Sequence, residues 1–201
     1  MGSEFSKLQT TQFQSRMRPK AIAVYRQLFP GCKVEDLRQQ GAKVHVLDQE
    51  FGIDCMIVLP SGQWLSVQEK YRQNTFLAND SLKVEPPVPD FTQEITNATG
   101  TQHESPGEWF KLASQLYFYG WASRDESQFE KWVLVDIVQY KLIVERNGGI
   151  TRMGRLYRNR KHGAASFVAF PVTRLRDAWV RTYRNPSPVN YIPGIPQPSN
   201  N

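Results

Sequence analysis

The sequence predicts one mixed α/β domain, with helices flanking a central β-sheet. Three observations predict it. Residues 43–48 (KVHVLD) alternate as a strand does, and 53–59 (IDCMIVL) and 132–138 (WVLVDIV) are apolar runs of strand length. Segments of helical spacing at 13–29 and 108–122 bracket the strands. With 201 residues, 40% of them hydrophobic and 12% aromatic, the chain is long enough to bury a core without staples.

Each element follows in order. Met1-Gly2-Ser3-Glu4-Phe5 reads as a vector-derived segment, and residues 1–12 form a polar lead outside the fold. Met17, Ile22, Val24, Tyr25 and Leu28 stand at helical spacing. Pro19 suits the first turn of their helix, and Pro30-Gly31 its end. A second short helix is expected over 34–40, closed by Gly41. Strands 43–48, 53–59 and 63–72 then make a meander, the last two joined at the Pro60-Ser61-Gly62 turn. Residues 79–90, with Pro86, Pro87 and Pro89, read as a linker. A short strand is expected over 91–96 and a mobile loop over 97–107. A helix over 108–122, a strand over 132–138 and a helix or turn over 139–146 follow. The segment 147–166 reads as a loop or ribbon, 166–171 as a strand and 172–184 as a last helix. From Pro186 the proline-rich tail lacks apolar periodicity and is expected to be disordered.

No run of eighteen apolar residues occurs, so no membrane-spanning helix is expected. Cys32 and Cys55 lack the paired spacing of a zinc or iron–sulfur site, and Cys55 in its apolar run reads as a buried free thiol. Both point to a reducing, cytoplasmic setting. His45, His103 and His162 are scattered, and no nucleotide-loop or serine-hydrolase motif is present. The net charge of +6 is local: residues 140–184 hold eleven Lys and Arg against Glu145 and Asp177. One surface that meets a polyanion explains such a concentration, and so does a solvated basic segment.

The chemistry concentrates at Asp54 and at Gln68-Glu69-Lys70. A carboxylate buried in mid-strand costs several kcal/mol unless it is paired, and a lysine at the same depth has the same need. Strand alternation puts Gln68 and Lys70 on one face and Glu69 on the other. With Asp54 on the first face, the group holds one carboxylate, one amide oxygen and one ammonium. Such oxygens suit Mg²⁺ or Mn²⁺. Lys70 could position or deprotonate a water, or stabilise charge on a phosphoryl group. The plainer alternative is a structural ion pair.

Gly52-Ile53-Asp54, a hairpin, then Gln68-x-Lys70 resembles the PD-(D/E)xK nuclease superfamily. That resemblance implies a restriction-endonuclease-like αβββαβ core over 13–140 and metal-dependent hydrolysis of DNA phosphodiesters, of homing or restriction type. It implies that Asp54, Gln68 and the backbone carbonyl of Glu69 hold the metal and that Lys70 is the catalytic lysine. Gln68 departs from the usual Glu or Asp. Gln115 and Tyr119 fit a Gln-x-x-x-Tyr helix motif of similar proteins, and Glu94 and the Pro-Gly-x-Trp turn at 106–109 extend the likeness. These three residues are expected around the lysine.

Arg72, Arg152, Arg155, Arg158, Arg160 and Lys161 are the expected DNA contacts, most of them in a basic extension over 141–185, with Arg174, Arg176, Arg181 and Arg184 continuing it. Cutting both strands of a duplex suggests a homodimer or homotetramer. The other readings are a catalytically degenerate nucleic-acid-binding protein of the same fold, and an exonuclease or junction resolvase.

Overall fold

The computed structural model describes residues 2–37, 47, 50–73, 89–158 and 165–189, with side chains from residue 11 onward. Six strands form a mixed sheet in the order β1 (Lys33–Asp36), β2 (Cys55–Val58), β3 (Trp64–Arg72), β6 (Leu116–Ala122), β7 (Phe129–Asp136) and β10 (Trp179–Thr182). Only β3 and β6 run parallel; every other neighbour in this sheet is antiparallel. A second, four-stranded sheet has the order β5 (Ser105–Pro106), β4 (Asp90–Asn97), β9 (Ser166–Pro171) and β8 (Arg155–Arg158).

The first sheet has a core on each face. On one, helix α1 (Gly2–Leu28) buries Phe13, Met17, Ala21, Tyr25 and Leu28, a stripe at spacings of four, four, four and three. It packs on Cys55, Ile57, Leu65, Val67 and Phe118. On the other face, Tyr117, Tyr119 and Trp121 of β6 meet Phe91, Val168 and Phe170 of the second sheet. The same core takes Tyr140 and Val144 of a ten-residue helix, Ile137–Arg146, and Leu175 of the 3₁₀ segment Val172–Ala178. Asp136 caps that helix by accepting the Gln139 N–H at 2.9 Å.

The structure corrects several sequence expectations. Helix α1 begins at Gly2, so the polar lead is helical and Pro19 lies inside the helix. Phe13 and Met17, buried upstream of Pro19, offset the roughly 3 kcal/mol cost of an interior proline. The expected helix over 34–40 begins instead as β1, because residues 33–36 find a ladder partner in β2. The expected helix over 108–122 is one turn, α2 (Glu108–Lys111), followed by strand β6. All seven residues of β6 are buried, so its apolar run carries no period to separate strand from helix, and its aromatic content fits the strand. The last helix is likewise the 3₁₀ segment and then β10, which completes the sheet edge on β7.

Other readings agree or stay outside the described residues. Strand β9 has its expected bounds, the 139–146 segment is helical, and part of 147–166 is the ribbon strand β8. Residues 186–189 lie against the body: Val189 N–H bonds Leu28 O at 2.8 Å, and Arg181 holds the carbonyls of Ser187 and Pro188 at 2.9 and 2.8 Å. That tether takes the start of the tail out of the expected disorder. Most of the 43–48 strand, the linker over 79–88 and the tail from 190 are not among the described residues. Cys32 and Cys55 are buried thiols, not joined in a disulfide. Among the described residues no helix is long and apolar enough to cross a membrane.

Candidate functional site

The ladder between β2 and β3 sets the site. Cys55 pairs with Val67 at the end of the ladder, and the preceding residue, Asp54, lines the same cleft as Gln68. Asp54 N–H bonds Val67 O at 2.9 Å, after which β2 gives way to loop, and among the described residues β3 runs on toward Arg72 with no strand partner on that side. The Asp54 carboxylate takes up the next rung, accepting the Glu69 N–H at 2.6 Å. Alternation then separates the faces: Val67 and Glu69 turn toward α1, while Gln68, Lys70 and Arg72 share the face of Asp54. The condition left open by the sequence, which way Asp54 faces, is decided by this register.

Asp54, Gln68, Glu69 and Lys70 line an open polar cleft of about 360 Å³, together with Gly52, Glu94, Glu108 and, from α1, Gln14. Gln68 is 8% exposed, yet among the described residues its Oε1 has no hydrogen-bond partner. A buried acceptor without a donor costs about 1–3 kcal/mol. Gly52, at φ +57°, lies so close that a Cβ there would sit 2.9 Å from this oxygen. Gly52→Ala is therefore expected to lower stability by about 1–2 kcal/mol from the left-handed backbone, and to push Gln68 out of place. Urea unfolding checks it; an unchanged midpoint would show that Gly52 is not held in this conformation.

Lys70 is fixed by a residue that sequence reasoning missed. Its Nζ lies 2.9 Å from Glu108 Oε2, which also accepts from Gln93 Nε2 at 3.1 Å, while Tyr117 Oη donates to Glu108 Oε1 at 2.8 Å. Burial pulls the lysine toward its neutral form, but the charge and hydrogen bond of Glu108 outweigh it, and the ammonium is held above its ordinary range. Lys70 is thus a cation at neutral pH. Burial and the carboxylate of Glu108 push the Tyr117 phenol up as well. The signal for Glu108 was the Pro-Gly-x-Trp turn itself, whose third position it occupies. Gly107 makes that position possible: a Cβ there would meet the β4 backbone at 2.7 Å.

The other expected residues divide. Glu94 lines the cleft, and burial raises its pKa, with Lys70 opposing and Glu108 adding to the rise. A carboxyl whose folded pKa is raised stabilises the fold at acid pH, and its ionisation weakens the fold as pH climbs past the unfolded value. Glu94→Gln should therefore raise the melting temperature at neutral pH and leave it unchanged well below the carboxylate range. Equal shifts at both pH values would count against it. Tyr119 is beside Lys70, but as its register partner on β6 rather than on a helix; its hydroxyl meets Thr92 Oγ1 at 2.8 Å. Gln115 precedes β6 and its Oε1 accepts the Ser66 N–H at 2.9 Å, which closes the β3–β6 junction away from the lysine. The Gln-x-x-x-Tyr helix face is thus overturned by the strand.

Among the expected basic contacts, Arg72 is on the face of Lys70, and Arg152, Arg155 and Arg158 are exposed. Arg160 and Lys161 lie outside the described residues. Arg174 instead bonds Met153 O, and Arg181 is committed to the carbonyls of Ser187 and Pro188.

On the far face of β3, Glu69 accepts from Tyr25 Oη and Tyr71 Oη, each at 2.6 Å, and pairs with the Arg18 guanidinium, whose Nε is 3.2 Å from Asp36. The same residue therefore has its amide held by Asp54 and its carboxylate held by α1.

Among the described residues no three His, Cys, Asp or Glu side chains form a metal-holding group. A cation here would draw on the Asp54 carboxylate, the Gln68 amide oxygen and main-chain carbonyls. The Gln68 Oε1, partnerless among the described residues and in the same cleft as Asp54, fits such a hard cation. Comparison of the chain with protein-family models, curated proteins and solved structures finds no match.

Proposed function

We propose that this protein is a metal-dependent endodeoxyribonuclease with a restriction-endonuclease-like core, related to the PD-(D/E)xK superfamily. One observation carries the reading: a buried Gln68 oxygen, unpartnered among the described residues, lines the same open cleft as the Asp54 carboxylate, with Lys70 two residues on. The antiparallel β1–β2–β3 meander followed by a strand parallel to β3 is consistent with that core. Asp54, Gln68 and the Glu69 carbonyl would hold Mg²⁺ or Mn²⁺. When bound, such an ion neutralises phosphate charge and lowers the pKa of a coordinated water.

The chain's own groups then have distinct tasks. Lys70, ion-paired with Glu108, stabilises negative charge on the phosphoryl oxygens. Asp54 is oriented by the Glu69 N–H. The exposed Arg152, Arg155 and Arg158 supply a phosphate-binding surface.

Incubation with supercoiled, linear and branched DNA, with Mg²⁺ or Mn²⁺ and with EDTA, tests the proposal. Metal-dependent nicking or linearisation of the plasmid supports it; digestion from ends only, or of junctions only, points to an exonuclease or resolvase. DNA binding without cleavage of any form overturns it. That outcome favours a binding protein of the same fold, a reading with its own support in the closed Lys70–Glu108 pair. A second copy is proposed for double-strand cutting, and sedimentation on DNA measures it.

A further inference from the structure

Strand register links the cleft to the outer sheet edge. In β4, Glu94 lines the cleft, and its partner across the ladder is Phe167 of β9. Phe167 is in turn paired with Tyr157 of the edge strand β8. Residues directly opposite in a ladder share a face, so Glu94, Phe167 and Tyr157 form one row across the second sheet, spanning two strand spacings or about 10 Å. The two rings are stacked, 5.4 Å apart at 14°. The exposed guanidinium of Arg155 lies over the Tyr157 ring at 5.2 Å. Arg152 is exposed on the adjoining turn, and Arg158 is exposed on the other face of β8.

We infer that this row binds unpaired nucleotides of a DNA strand whose backbone enters the cleft, so that the enzyme's substrate class includes single-stranded segments. The inference rests on the nuclease reading above. Stacked aromatics flanked by arginines match the general chemistry of single-strand recognition, in which rings take the bases and cations track the phosphates. A base stacks on an aromatic ring more strongly than an exposed guanidinium does. Arg155 can therefore yield its place over Tyr157 to a base and turn to a neighbouring phosphate. Paired bases inside a duplex have no free face to offer the row.

Fluorescence anisotropy in EDTA, where nothing is cut, tests it with fluorescein-labelled oligo(dT) and a duplex of equal length. Tyr157→Leu is expected to weaken oligo(dT) binding about tenfold and to leave duplex binding nearly unchanged, and Tyr157→Phe to retain both. In the unaltered protein, oligonucleotides carrying 5-iodouracil should crosslink at Tyr157 or Phe167 as single strands and not as duplex. This measurement needs no variant to fold. Equal losses on both probes, no loss, or crosslinks only elsewhere would overturn the inference. If plasmid cleavage persists alongside such results, the nuclease reading survives and only the stacking row fails. If the protein binds neither probe and cuts nothing, both fall.

Discussion

Asp54→Asn is expected to lower DNA cleavage by about 10³-fold or more, some 4 kcal/mol of barrier, while the fold survives. The two effects separate because the side chain has two tasks. Its Oδ2 accepts the Glu69 N–H at 2.6 Å, a rung that an asparagine oxygen can also supply. Gln68, beside it in the cleft, is neutral and cannot replace its negative charge, and Glu108 is paired with Lys70. Asparagine therefore keeps the ladder and removes the charge that would hold a cation. Lys70→Met should show a comparable loss of cleavage. There the stranded Glu108 keeps its two neutral donors, Gln93 and Tyr117, so a folded protein is again expected. Single-turnover cleavage at saturating DNA, with circular dichroism and DNA binding alongside, reads both variants. Full cleavage by the folded Asp54→Asn protein would remove Asp54 from the mechanism. Loss of the fold in both variants would make Asp54 and Lys70 structural groups.

The second large effect is on stability, and it falls on the other face of the same strand. Glu69→Leu is expected to cost about 3–5 kcal/mol, the range for breaking a buried ion pair by removing one partner. The Glu69 side chain is 0% exposed and that of Arg18 7%, so the guanidinium cannot turn to water when the carboxylate goes. Two buried phenols, Tyr25 and Tyr71, lose their acceptor at the same time. Arg18→Met combined with Glu69→Leu should recover part of the loss but not all of it. The phenols still lack the Glu69 carboxylate, and Asp36 loses Arg18. A double-mutant cycle by urea unfolding measures the coupling. Independent, additive losses would show that Arg18 and Glu69 do not act as a pair. Because Asp54 holds the Glu69 amide, Glu69→Gln is also informative: it keeps most of the packing and reports how far the α1 side governs the cleft.

Much of this arrangement was legible in the residues. Alternation alone placed Gln68 and Lys70 together and Glu69 opposite, because a strand has a fixed period of two. The apolar stretch around Cys55–Val58, the Gly62 turn and strand β9 could be located from hydrophobic runs and turn chemistry. Asp54 stood out because a charge in an apolar run must be accounted for. Two errors have different causes. In β6, buried on both faces, the pattern that distinguishes strand from helix is lost, whereas residues 179–182 form a four-residue edge strand that its pairing with β7 decides.

The sequence by itself determined a mixed α/β domain, which residues of β3 share a face, and a concentrated positive charge near the C-terminal end. The tertiary structure alone decided what those residues meet. The β2–β3 pairing brought Asp54 to the Glu69 amide beside Gln68, and the turn at Gly107 delivered Glu108 to Lys70 from 38 residues away. The packing of α1 buried Glu69 with Arg18. Such partners are distant along the chain, and neither propensity nor periodicity encodes distance across a fold. Closure of the backbone around two cores sets it, and with it whether a carboxylate and a lysine neutralise each other or are kept for a substrate.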